Sequence, residues 1–250
     1  RISLAKKVDQ YGDKGVRDVL RELLFELIPV CYLEGFSEVL NAAKLKKWPV
    51  KPKFIFTSSN YDTDEVFKLW AALKVIDGTE YIIGQHGNLS IIGSQTHRLL
   101  DAKIPDKFIS WGWSDVKPQV IPAFIFKTAG KIIKRRNMSG GILLTLCHYP
   151  HRCSFWDGSA NYIDTFENHK EFIRIMPIEY RRLLTIRFHS AWKDFNWHEK
   201  ERLDMFNGQI KIEEGAVPIA KLLKGSRLII HGYDSTGILE TLSMNIPTLA

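Results

Sequence analysis

Several absences narrow the reading before any motif is considered. Only three cysteines occur in 250 residues, Cys31, Cys147 and Cys153. That is too few, and too odd a number, for a disulfide scaffold, and it points to a reducing compartment. No apolar run approaches the roughly 20 residues that span a bilayer, so an integral membrane protein is not expected. No signal-peptide pattern opens the chain. It begins without Met and stops after an apparent last strand, so a fragment of a longer protein, truncated at both ends, is expected. There is no Walker loop, no Gly-x-Gly-x-x-Gly and no Gly-x-Ser-x-Gly elbow, which argues against ordinary ATPase, dehydrogenase and serine-hydrolase chemistry. His198-Glu199 has no second histidine four residues after the first, so it is not a zinc-protease helix.

What is present is globular. The chain is 45% hydrophobic, 12% aromatic and 25% charged, and carries a net charge of +7. The charge favours anionic partners such as nucleic acid, anionic lipid or phosphorylated small molecules. Its basic groups are scattered (Lys44, Lys46 and Lys47; Lys131, Lys134, Arg135 and Arg136). They form no continuous stripe and carry no recognised nucleic-acid motif, so a nucleic-acid-binding module is a minor alternative and no nucleic-acid partner is expected.

Periodicity alternates helices with short buried strands. Val16 to Ile28 carries the stripe of an amphipathic helix, interrupted at Pro29, and Leu33 to Ala43 a second. Strands are expected at 53–57, 81–83, 108–109 and 120–126, with Asp62 as the N-cap of a helix through Val66, Phe67 and Trp70. After a basic stretch the pattern restarts: a strand at 142–147, a helix at 165–182, strands at 184–188 and 227–230, a helix at 218–223 and another from Ser235. The expected fold class is α/β, two Rossmann-like domains facing a cleft: residues 1–126, a basic linker at 127–140, and a second domain at 141–250. In open parallel sheets ligands sit beyond the carboxyl ends of the strands.

Three such ends are unusually polar. Ile83-Gly84-Gln85-His86-Gly87-Asn88 delivers a histidine between glycines, where an imidazole can take a proton from an attacking hydroxyl or stay hydrogen-bonded within its loop. In Arg187-Phe188-His189-Ser190, Arg187 and His189 share one face and suit a diphosphate; a surface arginine beside a capping histidine is the other reading. Finally, Ile229-Ile230-His231-Gly232-Tyr233-Asp234-Ser235-Thr236 runs a buried strand through a glycine into a helix start with free N–H groups and two hydroxyls. Glu240, one turn on, would accept from ribose or sugar hydroxyls. Cys147, His148, His151 and Cys153 lie too close together to wrap one tetrahedral ion, so no metal and no cofactor are expected; Arg152 in that loop is an anion contact instead. Trp111 and Trp113 share one face of an extended segment, and core packing is favoured over stacking on a sugar or base.

The segments YLEGF (32–36), IFTSSNYDTDEVFKLWAA (55–72), GQHG (84–87), FISWGWSD (108–115) and YDSTGILETLSMNIPT (233–248) resemble a family of transferases from bacterial surface-polysaccharide and O-antigen gene clusters, itself similar to the GT-B glycosyltransferases. More distantly the chain resembles CDP-glycerol glycerophosphotransferases. The resemblance implies His86 as general base, and His189, Ser235 and Thr236 as holders of the donor phosphates. Arg187, Ser190, Tyr233, Asp234 and Glu240 complete the expected donor side; Glu34, Gln85, Gly87, Asn88 and Trp113 are the acceptor-side candidates. Where the glycerophosphotransferases have Trp-His-Gly-Thr, this chain has Gln85-His86-Gly87-Asn88, which leaves the donor type open. The implied reaction moves a sugar or polyol phosphate from a nucleotide-sugar or CDP-polyol donor to a glycan or lipid-linked glycan, in O-antigen or lipopolysaccharide assembly. It would occur in the cytoplasm, with peripheral contact at the anionic inner face of the membrane. A sugar-nucleotide epimerase or hydrolase on the same fold is the runner-up.

Overall fold

The computed structural model describes residues 20, 23–24, 26–87, 102–114, 117–133, 137–149, 161–195 and 197–250. The chain divides into two compact units, residues 1–86 with 93–123 and residues 87–92 with 124–250.

The first unit holds four parallel strands in the order β1 (Phe54–Thr57), β2 (Glu80–Gly84), β3 (Lys107–Ser110) and β4 (Val120–Pro122). The alternation places Ile55, Tyr81, Ile83, Phe108 and Val120 in one core cluster, against Phe67 and Ala71 of helix α2 (Glu65–Ile76). Helix α1 (Phe36–Leu45) packs on α2. The helix expected to start at Asp62 starts later. Asp62 sits in a separate turn of helix (Asn60–Thr63), and the cap is Asp64, extended in backbone, whose carboxylate accepts from Phe67 N–H at 2.9 Å.

The second unit has five parallel strands: β5 (Gly141–Thr145), β6 (Leu184–Arg187), β7 (Lys211–Glu213), β8 (Ser226–His231) and β9 (Thr248–Leu249). Their spatial order is β7-β6-β5-β8-β9, the 3-2-1-4-5 arrangement of a doubly wound sheet. Such strands are buried on both faces, which explains the unbroken apolar runs Ile142–Leu144 and Leu228–Ile230. Ile142 and Leu144 face one cluster with Phe166 and Ile173 of helix α3 (Tyr162–Ile175); Leu143 and Ile229 face another with Leu223 of helix α4 (Ile219–Gly225). Each fully buried Leu or Ile contributes about 1.5–3 kcal/mol.

The helix expected over 165–182 stops at Ile175. Pro177 forces Met176 into an extended conformation (ψ 131°), and the chain resumes as a short helical turn, Ile178–Arg181. Residues 127–133, read from the sequence as the start of a linker, are tied to helix α5 (Thr236–Ser243) and the turn after it: Thr128 Oγ1 lies 2.7 Å from Ser243 Oγ, and Ile133 N–H donates to Met244 C=O at 2.9 Å. No helix among the described residues is long and apolar enough to cross a membrane.

Candidate functional site

In the 3-2-1-4-5 sheet the chain leaves the first strand in one direction and the fourth in the other, so a crevice opens where β5 and β8 end side by side. A cavity of about 460 Å³ lies there, lined in part by His169, His231, Gly232, Tyr233 and Asp234. Beneath it, His231 is 8% exposed and bridges two elements: Nδ1 is 3.1 Å from Thr145 Oγ1 on β5, and Nε2 is 3.3 Å from Thr241 Oγ1 on α5. Thr248 Oγ1 donates to Thr241 Oγ1 at 2.9 Å, extending the network to β9. Gly232 then approaches so closely that a Cβ would lie 2.6 Å from His169 Nε2, and the same nitrogen donates to Gly232 C=O at 2.9 Å. The backbone after β8 is thereby fixed from below.

From Gly232 the chain enters α5. Ser235 is its N-cap, its Oγ accepting from Gly237 N–H at 3.0 Å. Gly237 has no room for a Cβ, which would meet His231 Cε1 at 2.8 Å. Ile238 N–H donates to Ser235 C=O at 3.0 Å, and the positive end of the helix dipole lies at this cap. Glu240, one turn into the helix, is ion-paired to Lys127 at 2.8 Å.

The end of β6 lies beside that of β5, on the side away from β8. Arg187 pairs with Glu213, its register partner on β7, at 3.3 Å, and donates to Val217 C=O at 3.4 Å. Glu213 also accepts from Val217 N–H at 2.7 Å. His189 Nδ1 accepts from Ala191 N–H at 3.2 Å, and its ring stacks on His148 beyond the end of β5. Exposed Ser190 rests on Gly215, whose φ of +84° and contact with the Ser190 backbone both require glycine.

In the first unit, His86 follows the end of β2 and is exposed. Its Nδ1–H donates to Ser58 C=O at 2.9 Å, which leaves Nε2 as the basic nitrogen. Gln85 and Trp113 do not face outward. Gln85 is 4% exposed, and its Oε1 accepts from Trp111 N–H and Trp113 Nε1–H, both at 2.8 Å, locking the β2 and β3 ends together. Trp113 packs on Phe108, as its expected core role requires. Gly87 is buried; Glu34 is exposed in the turn before α1, away from these strand ends in sequence and element. Asn88 and Arg152 lie outside the described residues, as do His151 and Cys153. The neighbouring residue Tyr32 donates to Glu65, which pairs with Lys68 at 2.6 Å, beside a cavity of about 210 Å³ between α1 and α2.

The sequence profile of the LIC12162 family transferase matches residues 3–250. The chain belongs to the LIC12162 transferase family. Among solved structures it is similar to MurG of Acinetobacter baumannii (13% identity, 92% of this chain and 66% of that one, TM-score 0.44). It is also similar to a glycosyltransferase of kitacinnamycin (11%, 89% and 66%, TM-score 0.42). A third is a Listeria monocytogenes protein assigned as a UDP-N-acetylglucosamine 2-epimerase (17%, 86% and 59%, TM-score 0.43). The chain thus spans 59–66% of the length of these proteins. No curated protein matches it.

In this LIC12162 family member four histidines of the second unit favour the neutral form. Burial is the largest cause for each of His148, His169, His189 and His231, all pushed below the usual imidazole range. Burial likewise raises the Tyr233 phenol. A histidine whose folded value is depressed stabilises the fold above its unfolded value of 6.5 and loses that contribution as pH falls through the folded value. Melting temperature is therefore expected to drop by roughly 5 °C between pH 7 and 5.5. A scanning-fluorimetry series across that window checks this, and a flat profile contradicts it.

Sequence reading missed Thr145, Thr241 and Glu213, and discounted His148 with the zinc-like cluster. Only His148, placed just after a buried strand, carried a usable signal: the rule of strand ends that selected His86 and His189 applies to it equally.

Proposed function

We propose that the chain is the greater part of an enzyme that transfers a sugar or polyol phosphate from a nucleotide-activated donor to a hydroxyl of a surface-polysaccharide precursor such as an O-antigen glycan. The observation that carries this reading is the path of β8 through Gly232 into the Ser235-capped helix, at the switch point of a 3-2-1-4-5 sheet. A helix start there offers a diphosphate the positive end of the dipole and the hydroxyl-bearing residues Ser235 and Thr236. Membership of a transferase family supports group transfer over binding alone.

In this mechanism the second unit holds the donor. Arg187, His189 and the α5 start neutralise charge as it develops on the leaving diphosphate. Glu240 and Asp234 accept from donor hydroxyls in this reading, and Tyr233 and Ser190 belong to the same donor side. The first unit supplies the base: His86, with Nδ1–H committed to Ser58, accepts the acceptor's hydroxyl proton on Nε2. No step requires a metal or a resident cofactor.

A thermal-shift screen against CMP, CDP, UDP, GDP and ADP and their sugar and polyol conjugates tests the reading without a known acceptor. One nucleotide class is expected to raise the melting temperature by several degrees when present at about 100 times its Kd, a stabilisation near 2.7 kcal/mol. A well-folded sample that responds to none of them overturns it.

A further inference from the structure

His148 and His189 follow the ends of two neighbouring parallel strands and stack ring on ring, with centroids 3.9 Å apart and planes 22° from parallel. Phe195 also stacks on His148, at 5.1 Å and 19°. The nitrogens are asymmetrically committed. Ala191 N–H occupies His189 Nδ1, so neutral His189 carries its proton on Nε2. His148 Nδ1 is buried and has no hydrogen-bond partner among the described residues.

Among the described residues, the fixed charge around the pair nearly cancels. On β6, Arg187 is matched by Glu213 of β7. On the turn of helix Trp192–Phe195, Lys193 is matched by Glu214 at 3.1 Å, while Asp194 faces His148 as an uncompensated negative charge. On the β5 side, Cys147 and Tyr149 are both pushed up by burial and are neutral. Among the described residues, then, this corner of the donor crevice holds little net positive charge to meet a diphosphate. Two imidazolium rings in face-to-face contact repel strongly, so the pair holds one proton far more readily than two.

Building on the donor-site reading above, we infer that His148 and His189 together form an anchor for the donor's diphosphate, which binds with uptake of one proton from solvent shared by the two rings. His148 thereby becomes a donor-binding residue. Burial and mutual repulsion keep both rings neutral in the free protein, and an arriving anion supplies the field that holds the proton. Affinity accordingly falls as pH rises through the neutral range, by up to tenfold per pH unit.

Calorimetric titration tests this with UDP-N-acetylglucosamine, GDP-mannose and CDP-glycerol, diphosphate diesters that do not themselves titrate near neutrality. Each titration is run at pH 7.2 in PIPES, HEPES and Tris, whose ionisation heats differ. For the conjugate that binds, the slope of observed heat against buffer ionisation heat is expected to give uptake of roughly half a proton to one proton. The paired variant His148→Phe with His189→Asn, in which the amide oxygen still accepts from Ala191 N–H, is expected to bind about tenfold more weakly with no uptake. Ser235→Ala is expected to weaken binding while leaving uptake intact. Heat independent of buffer in the unaltered protein overturns the anchor whether or not the variants fold, and so does uptake that persists in the paired variant. Failure of every conjugate to bind overturns the donor-site reading and the anchor with it.

Discussion

His86→Ala is expected to lower transfer by about 10²–10⁴-fold while leaving donor affinity within twofold. His86 is exposed, and its one described hydrogen bond is to Ser58 C=O, so the fold loses little with it. The chemistry loses the nitrogen whose tautomer is set for proton acceptance at that strand end. The measurement is product formation with the donor that gives the largest thermal shift and a lipid-linked glycan acceptor, beside a binding isotherm for the donor alone. Turnover near the native level removes His86 as the base. A parallel fall in donor affinity moves it to the binding machinery.

The second large effect belongs to the start of α5. Ser235→Ala with Thr236→Val removes both hydroxyls, and donor binding is expected to weaken about 10–100-fold, the loss of two hydrogen bonds to a charged group. Ser235 also caps Gly237 N–H, so the pair of changes costs about 1 kcal/mol of stability, or roughly 2–4 °C. The two consequences separate cleanly. The stability cost appears without ligand, and the binding cost appears as loss of the donor-induced shift. Unchanged binding after correction for stability removes the phosphate site.

Most of the fold was legible because doubly buried strands leave unbroken apolar runs, and Ile142–Leu144, Leu184–Ile186 and Leu228–Ile230 announce themselves. Strand β7 did not. It lies at an edge, reads Lys211-Ile212-Glu213, and has the charge that edge strands carry against unwanted pairing. The boundary of α2 was misread because two aspartates compete, and backbone conformation at Asp64 decides between them. The polar strand ends were found by rule, but not their partners. Nothing local connects Arg187 to Glu213, His231 to Thr145 and Thr241, or Gln85 to Trp111 and Trp113, since each pair meets only through strand register or loop packing. For the same reason Gln85, read as a candidate to touch the acceptor, is a brace between two strands.

The Arg187–Glu213–Val217 linkage constrains how this end of the second sheet could diverge among relatives. One carboxylate both balances the arginine and holds the turn that carries Gly215 beneath the His189–Ser190 backbone. Arginine, carboxylate, turn and glycine are therefore mechanically linked, so that a change in one disturbs the others. An altered preference for the activated substrate would come more easily from residues outside this linkage, such as Tyr233 and Asp234, whose side chains can change without unseating a strand.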